Sequence, residues 1–572
     1  MTTFNLAFRQ SLIVLLLAII VGCQKKEPSD IHYTISPEVR DSVSLLRVQL
    51  ELEPDISGTT RIKYDDKAWG QEDLFNALEE VNLLSPVGGA MEINKDSSWI
   101  LVNHNGEGGP LVIEYLLKQD FSLEEQPREC YRPIIQPEYF HIFSHNLFMV
   151  PDSWESVSKE TRQVSLSWEG FPEDFVIHNS FGSKERVQQL NDISLDKFHM
   201  AVFVGGDFRL MKGDIKGNRI VLAVRGDWIP FTENEVFEVL METLEAQRNF
   251  WDDHSQEYFT VTLRPMAIER GSAFQGSGLT NSFACQISNN KYTELSQIIY
   301  LFNHELQHNW TGNAIKNDNE EEQYWFSEGF TDYYTAKNIS RYEIGGTERM
   351  FFIKQLNETI RNLYTSPVVD APNSEINYDN FWVNQDYGKL AYYRGAVYAF
   401  LLDNFIYKET SGEKNLDQLM QGILKDAVNE GQKVSHAYWL SELEAYLGAD
   451  AGIFFEKHIV NGEPFPLKEL LKKFGYEFDL NSRVFDLGFE FSEGRKSVKS
   501  IDETSEAYKA GLREGDQFVT YSIEYGSIEK PVSLEVKRDE QNISLSYLAV
   551  KQLSIPRLLE SPANLAKLSS LQ

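Results

Sequence analysis

Cysteine is nearly absent: 3 residues in a chain of 572. So few thiols exclude a disulfide framework and a cysteine metal cluster. Positive charge is scarce as well, with 54 basic residues against 86 acidic ones and a formal net charge of -32. Nucleic acid and anionic lipid both require clustered cations, so neither surface is an expected partner. An apolar run of the ~20 residues that span a bilayer is also missing. The run Leu12–Val21 is about half that length. Apolar residues themselves are plentiful, at 42% hydrophobic and 13% aromatic, enough for large cores. The length leads us to expect several domains.

The N-terminus reads as a targeting segment. Arg9 supplies positive charge ahead of the short apolar run, which ends in Ile20-Val21-Gly22-Cys23. This ending resembles a bacterial lipobox, whose cysteine is acylated and becomes the mature N-terminus. The expectation is a lipoprotein signal peptide over 1–22, a lipidated Cys23 and a flexible tether over 23–30. Acyl chains anchor a protein without a spanning helix. The implied location is the bacterial cell envelope, exported and lipid-anchored, facing the periplasm or on the outer membrane, which Gln24 after the cysteine favours. Cys130 and Cys285 are expected in different domains, buried and unbridged.

Residues 31–225 read as mostly strand. Leu46–Leu52 alternates apolar and polar residues strictly, and 58–64, 111–115 and 164–168 do so less cleanly, between turn-forming residues. This predicts an N-terminal antiparallel β domain. His141 and His145 lie four apart in it, and packing histidines are favoured over a second metal site. A helix is expected over Glu235–Phe250 and a strand over Phe259–Arg264, followed by an edge strand or loop at Gly276–Ser282. An edge strand can pair with an extended peptide. Asp318–Glu322 reads as a solvated acidic loop. Helix-rich sequence runs from 340 to about 475, and short strands return from about 483.

The central motif is His304-Glu305-Leu306-Gln307-His308. On a helix, residues four apart share a face, so both imidazoles can point at one ion. Two neutral imidazoles suit Zn2+. Glu305 lies between them, free to take a proton from a water at the metal. A catalytic zinc takes three protein ligands and keeps a position open. Glu328, between Trp325 and Phe330, is the candidate third ligand. Asp332 lies one helical turn beyond it and is expected to accept the second ring N–H of His304.

The run from His304 to Asn313, followed by Glu328-Gly-Phe, resembles the aminopeptidase N (membrane alanyl aminopeptidase) family of zinc gluzincins. The interval to the glutamate is one residue longer than is usual there. Glu328-Gly-Phe-Thr-Asp-Tyr-Tyr334 also resembles the related glycyl aminopeptidase family, which has a C-terminal PDZ domain. Asp486-Leu-Gly-Phe489 and Lys509–Asp516 resemble PDZ signatures, with little room after Tyr521 for the helix that walls a PDZ groove. The resemblance implies a multidomain α+β fold. It comprises an N-terminal β domain (31–225), a thermolysin-like catalytic domain with a helical C-terminal part (226–480), a small PDZ-like β domain (481–552) and a tail (553–572).

It further implies one Zn2+ ion and a peptide or protein substrate. Tyr392, in Tyr392-Tyr-Arg-Gly395, is implied as the oxyanion donor, with Tyr393 as its rival. Gly278, Thr280 and Asn281 are implied as substrate-binding positions. Thr280 stands where that family carries the glutamate that binds a free α-amine. A neutral hydroxyl cannot pair with an ammonium, so the choice between exopeptidase and endopeptidase stays open, with Glu269 a nearby substitute. The expected function is a zinc metallopeptidase. The alternative is a catalytically weak envelope lipoprotein that binds peptides or acts as a scaffold. Nothing in the sequence sets the oligomeric state.

Overall fold

The alternating segment Leu46–Leu52 lies within strand β2 (Val43–Leu52), with its apolar side buried. In the computed structural model the described residues are 30–571, apart from 105, 107–108 and 157–159. The expected signal peptide, Cys23 and most of the tether lie outside them. The chain forms two units. The first comprises the described residues through Glu233 together with Ser255–Thr293, and the second comprises Asn234–His254 and Glu294 onward. No helix among the described residues is long and apolar enough to cross a membrane.

The first unit is built of sheets. Its largest has six strands, in which β1 (Ile31–Arg40) lies between β2 and β3 (Thr161–Trp168). The expectation of a wholly antiparallel domain is corrected here, because β1 pairs with β3 in parallel, Ile31 opposite Val164. A parallel neighbour needs a long crossover, and the chain between Arg40 and Thr161 provides one. Sequence periodicity reports which face of a strand is buried and is silent about strand direction.

A five-stranded sheet of the same unit contains β4 (Arg209–Ile215), β5 (Asn218–Val224), β6 (Tyr258–Met266), β7 (Phe274–Leu279) and β8 (Ser282–Ser288), in the order β4-β5-β6-β8-β7. Strand β7 is the expected edge strand. Cys130 and Cys285 both belong to this unit, against the expectation of separate domains, and both are buried without a disulfide.

His141 and His145 are packing groups. Both are buried, and burial lowers their basicity, that of His145 to about 3. The His145 ring lies 4.2 Å from that of Trp69.

The second unit is helical. Its helices include α1 (Glu233–Trp251, counted here from Asn234), α2 (Leu295–Gln307), α3 (Glu320–Ser327), α4 (Gly329–Tyr342), α5 (Phe351–Thr365), α6 (Tyr378–Val383), α7 (Gln385–Glu409) and α8 (Leu416–Glu430). The acidic stretch expected as a loop is exposed, but Glu320–Glu322 form the first turn of α3. Carboxylates are favoured there by the helix dipole. Helix α2 starts on a capping box between Glu294 and Gln297 and buries Ile298, Ile299, Phe302 and Leu306. Its rotation is fixed by polar contacts to α1. Gln247 donates to the Asn303 carbonyl at 2.7 Å, and Asn303 donates to Thr243 Oγ1 at 3.1 Å.

Helices α4 and α7 touch through their backbones. A Cβ on Gly329 would lie 2.4 Å from the Gly395 Cα, and one on Gly395 would lie 2.0 Å from the Trp325 carbonyl oxygen. Only glycine fits at either position. Around this crossing packs a core rich in aromatic rings, including Trp325, Phe326, Phe330, Tyr398 and Trp439.

The unit ends in a small β region. Strands β9 (Ser482–Phe485) and β10 (Val550–Leu553) pair, and Gln517–Ser522, Pro531–Arg538 and Gln541–Leu548 form a three-stranded sheet. Residues 523–530 run as turns. In Lys509–Asp516, the buried Asp516 accepts from the Arg513 amide and from the Arg538 side chain, which makes the segment a pinned turn. The last residues are not a loose tail. Arg557–Leu558 forms a strand, Pro562–Ser570 a helix, and Leu558, Leu568 and Leu571 enter the helical core.

Gly395→Ala is expected to destabilise the protein by about 1–3 kcal/mol through overpacking. Gly422→Ala, in α8 with nothing within 4 Å of the added Cβ, is expected to stabilise it by about 0.5–1 kcal/mol. Denaturant midpoints of the two variants check the contrast.

Candidate metal centre

Helix α2 carries His304 in its last turn, and His308 is its C-cap. Each imidazole is oriented through Nδ1. His304 Nδ1 donates to Asp332 Oδ1 at 2.9 Å, and His308 Nδ1 donates to the Thr311 carbonyl at 3.0 Å. Both Nε2 atoms are left to act as ligands. Glu328 stands at the junction of α3 and α4, so Asp332, one turn on, belongs to the same helix face.

The Glu328 Oε2 atom is 3.5 Å from His304 Nε2 and 3.6 Å from His308 Nε2. It is buried and accepts no hydrogen bond. Donors about 2.1 Å from a tetrahedral ion stand ~3.4 Å apart, so these spacings fit one ion with a position left open. The expected ligand set His304, His308 and Glu328 is the three-donor metal group found among the described residues.

The electrostatics match a place for a cation. Burial pushes the Glu328 carboxyl up, but the contact with His304 and the charges of His308 and His304 outweigh it and bring it to about 2. Burial opposes charge on His304, yet its contacts with Asp332 and Glu328 hold it above the ordinary imidazole range. Tyr392 is pushed up by burial and then by the Glu328 charge, so its phenol stays protonated as a donor. Its ring lies 5.9 Å from that of His304. Tyr393 is pushed up by burial and then by the charges of Asp332 and Glu358, with no contribution from Glu328 among its causes. Of the two sequence candidates, Tyr392 is the one beside the ligands. Glu305 lines the same pocket, of about 470 Å3, with His304, Asp332, Tyr392 and Tyr393.

The residues after His308 shape this corner. Trp310 donates to Asp253 at 2.9 Å and stacks on Trp251. Gly312 has φ 107°, a left-handed geometry that turns the chain back, so that Gly312 donates to the Ile315 carbonyl. Thr311, held between these anchors, presents its carbonyl to His308.

Three contributions were missed in the sequence. Tyr300 donates to Asp332 Oδ1 at 2.8 Å, so Asp332 accepts from two partners. The signal was available, since Tyr300 precedes His304 by one helical turn. Lys389 places its ammonium 4.5 Å over the Tyr392 ring, three residues earlier on α7. The Thr311 carbonyl carries no side-chain signature.

The expected substrate-binding positions belong to the first unit. Gly278 lies in β7, and Thr280 and Asn281 form the turn to β8. The Thr280 hydroxyl donates to the Lys197 carbonyl at 2.8 Å, and Asn281 is left-handed at φ 50°. Thr280 is thus engaged by its own unit. Glu269 is exposed.

Asp332→Asn is expected to weaken divalent-metal binding by about 10–100-fold, and Tyr300→Phe by less. Calorimetric titration of the metal-stripped variants with Zn2+ checks both.

Residues 277–448 match the Peptidase family M1 domain. No curated protein matches the chain. Among solved structures, the aminopeptidase N family protein from Idiomarina loihiensis superposes with a TM-score of 0.69 at 15% identity, covering 95% of this chain and 100% of its own. That likeness concerns the fold. Yeast LTA4 hydrolase gives a TM-score of 0.41 at 13% identity, covering 79% of this chain and 72% of its own, too distant to carry an argument. The His304, His308 and Glu328 donor set lies inside the stretch that matches the Peptidase family M1 domain.

Proposed function

We propose that the protein is a zinc-dependent metallopeptidase, aminopeptidase-like in its site. The observation that carries this reading is the oriented donor set His304, His308 and Glu328, whose His304 lines one pocket with Glu305 and Tyr392. Bound there, Zn2+ supplies Lewis acidity, which polarises a peptide carbonyl and makes a water acidic. Glu305 takes the proton of the attacking water and later passes it to the departing amine. Tyr392 donates its hydroxyl hydrogen to the oxygen on which charge develops. Asp332 and the Thr311 carbonyl hold the imidazole orientations through these steps.

Thr280 stands in the sequence where the resembled family carries the glutamate for the substrate's α-amine, so tolerance of blocked N-termini belongs to this reading. The lipobox-like ending at Cys23 supports attachment to the bacterial envelope, and the Gly488 and Lys509–Asp516 turns support a PDZ-like β region. Both belong to the same proposal.

Glu305→Gln is expected to keep its zinc, read by elemental analysis, and to lose peptide hydrolysis. Undiminished turnover would sink the mechanism. Tyr392→Phe is expected to lose about 10²–10³-fold in kcat with metal retained. A mass-spectrometric assay on free and N-blocked peptide libraries decides between release of single residues and internal cleavage. Zinc retention with no turnover of any peptide would favour the scaffolding alternative.

A further inference from the structure

Helix α5 presents two adjacent stripes to two cavities. Gln355, Glu358, Thr359 and Asn362 line the metal pocket. Lys354, Asn357, Glu358 and Arg361 line a second cavity of about 430 Å3, closed on its far side by Asn481–Arg483, Ile528–Glu529 and Arg557 of the C-terminal β region. Each set has the i, i+3, i+4, i+7 spacing of a single helix face. They are offset by one residue and share Glu358. The two cavities therefore meet over that side chain.

The second cavity has an unusual charge for this chain. Its lining carries four cations (Lys354, Arg361, Arg483, Arg557) and three acids (Glu358, Glu529, Glu560), a local balance of +1 in a protein of net charge -32. The Arg–Glu pairs are weakly held. Arg361 meets Glu358 at 3.2 Å, Arg483 meets Glu529 at 3.4 Å, and Arg557 meets Glu560 at 2.9 Å. All three acids are more than a third exposed, Glu529 at 77%. Exposed pairs of this kind contribute ~0–1 kcal/mol, so a competing carboxylate can replace the acid. Lys354 is exposed on the same face and makes no ion pair among the described residues.

The walls are fixed relative to each other. Asn357 donates to the Leu558 carbonyl at 2.9 Å and accepts from the Leu558 amide at 2.8 Å. That reciprocal pair ties the strand Arg557–Leu558 to α5. Arg483 donates to the Ile528 carbonyl at 2.8 Å, which braces its guanidinium at the rim.

We propose that this cavity is a subsite for a carboxylate on the part of a peptide substrate that lies downstream of the bond held at the metal group. The proposal rests on the metallopeptidase reading. An extended chain leaving the metal pocket crosses the width of α5, about 10 Å. At about 3.3 Å per residue this puts the third to fifth downstream residue beside Lys354, Arg361 and Arg483. The favoured group there is an Asp or Glu side chain, or the terminal carboxylate of a short peptide.

The test uses the zinc-loaded full chain and peptides that differ only by Asp, Asn or Lys walked along the downstream positions. The Asp peptides are expected to exceed the Lys peptides in kcat/KM by about five- to tenfold at the third to fifth position and nowhere nearer the bond. Lys354→Gln, and Lys354→Gln with Arg483→Gln, are expected to bring that ratio towards one. Turnover of substrates too short to reach the second cavity should stay unchanged. Equal rates for Asp, Asn and Lys at every position would overturn the subsite and leave the peptidase reading intact. If no peptide is cleaved, the peptidase reading falls. Calorimetric binding of the same peptides to Glu305→Gln then decides the subsite, with equal affinities for the Asp and Lys forms overturning it.

Discussion

The contact between Gly329 and Gly395 is the constraint on which the geometry of the candidate metal centre depends. Glu328 immediately precedes one glycine, and Tyr392 lies three residues before the other. The two helix backbones can meet only because neither residue has a Cβ. Their meeting fixes how far a ligand carboxylate stands from a phenol on a different helix. The aromatic rings packed around the crossing resist its opening, since close-packed interiors transmit displacement rather than absorb it. The candidate metal site, drawn from α2 and the α3–α4 junction, thus inherits its precision from α7, which supplies none of its three donors.

Glu305, Asp332 and Glu358 line the pocket with His304, and Glu328 stands against His304 and His308, all in an already acidic protein. Like charges at such density are destabilising without a cation. The contacts with Asp332 and Glu328 hold His304 above the ordinary imidazole range, and those with His304 and His308 hold Glu328 low. A divalent ion satisfies the same groups more fully. The same field keeps Tyr392 protonated, which is the state an oxyanion donor needs.

Much of this was legible in the chain. The spacing of His304, His308, Glu328 and Asp332 contains its own geometry, because a helical repeat converts sequence separation into direction. Elements with strong periodicity were found within a few residues, as for Glu235–Phe250 inside α1. What escaped has physical reasons. The parallel pairing of β1 with β3 is a long-range choice that leaves alternation unchanged. The acids at 318–322 stay solvated whether the backbone is loop or first helical turn. Tyr300 reads as another core aromatic until the acceptor at Asp332 is seen. The role of Thr311 is performed by a carbonyl that every residue possesses, so no side chain could announce it.

The burial of Leu558, Leu568 and Leu571 in the helical core bears on how the protein is made. Domains generally fold as units during synthesis, N-terminal parts first. Here the described strands of the first unit pair among residues that precede 294. The unit that holds the metal group lacks part of its interior until residues near 571 have left the ribosome. A chain stalled or clipped before that point exposes apolar surface where the finished protein has none. Quality control of this protein is therefore concentrated at the end of translation.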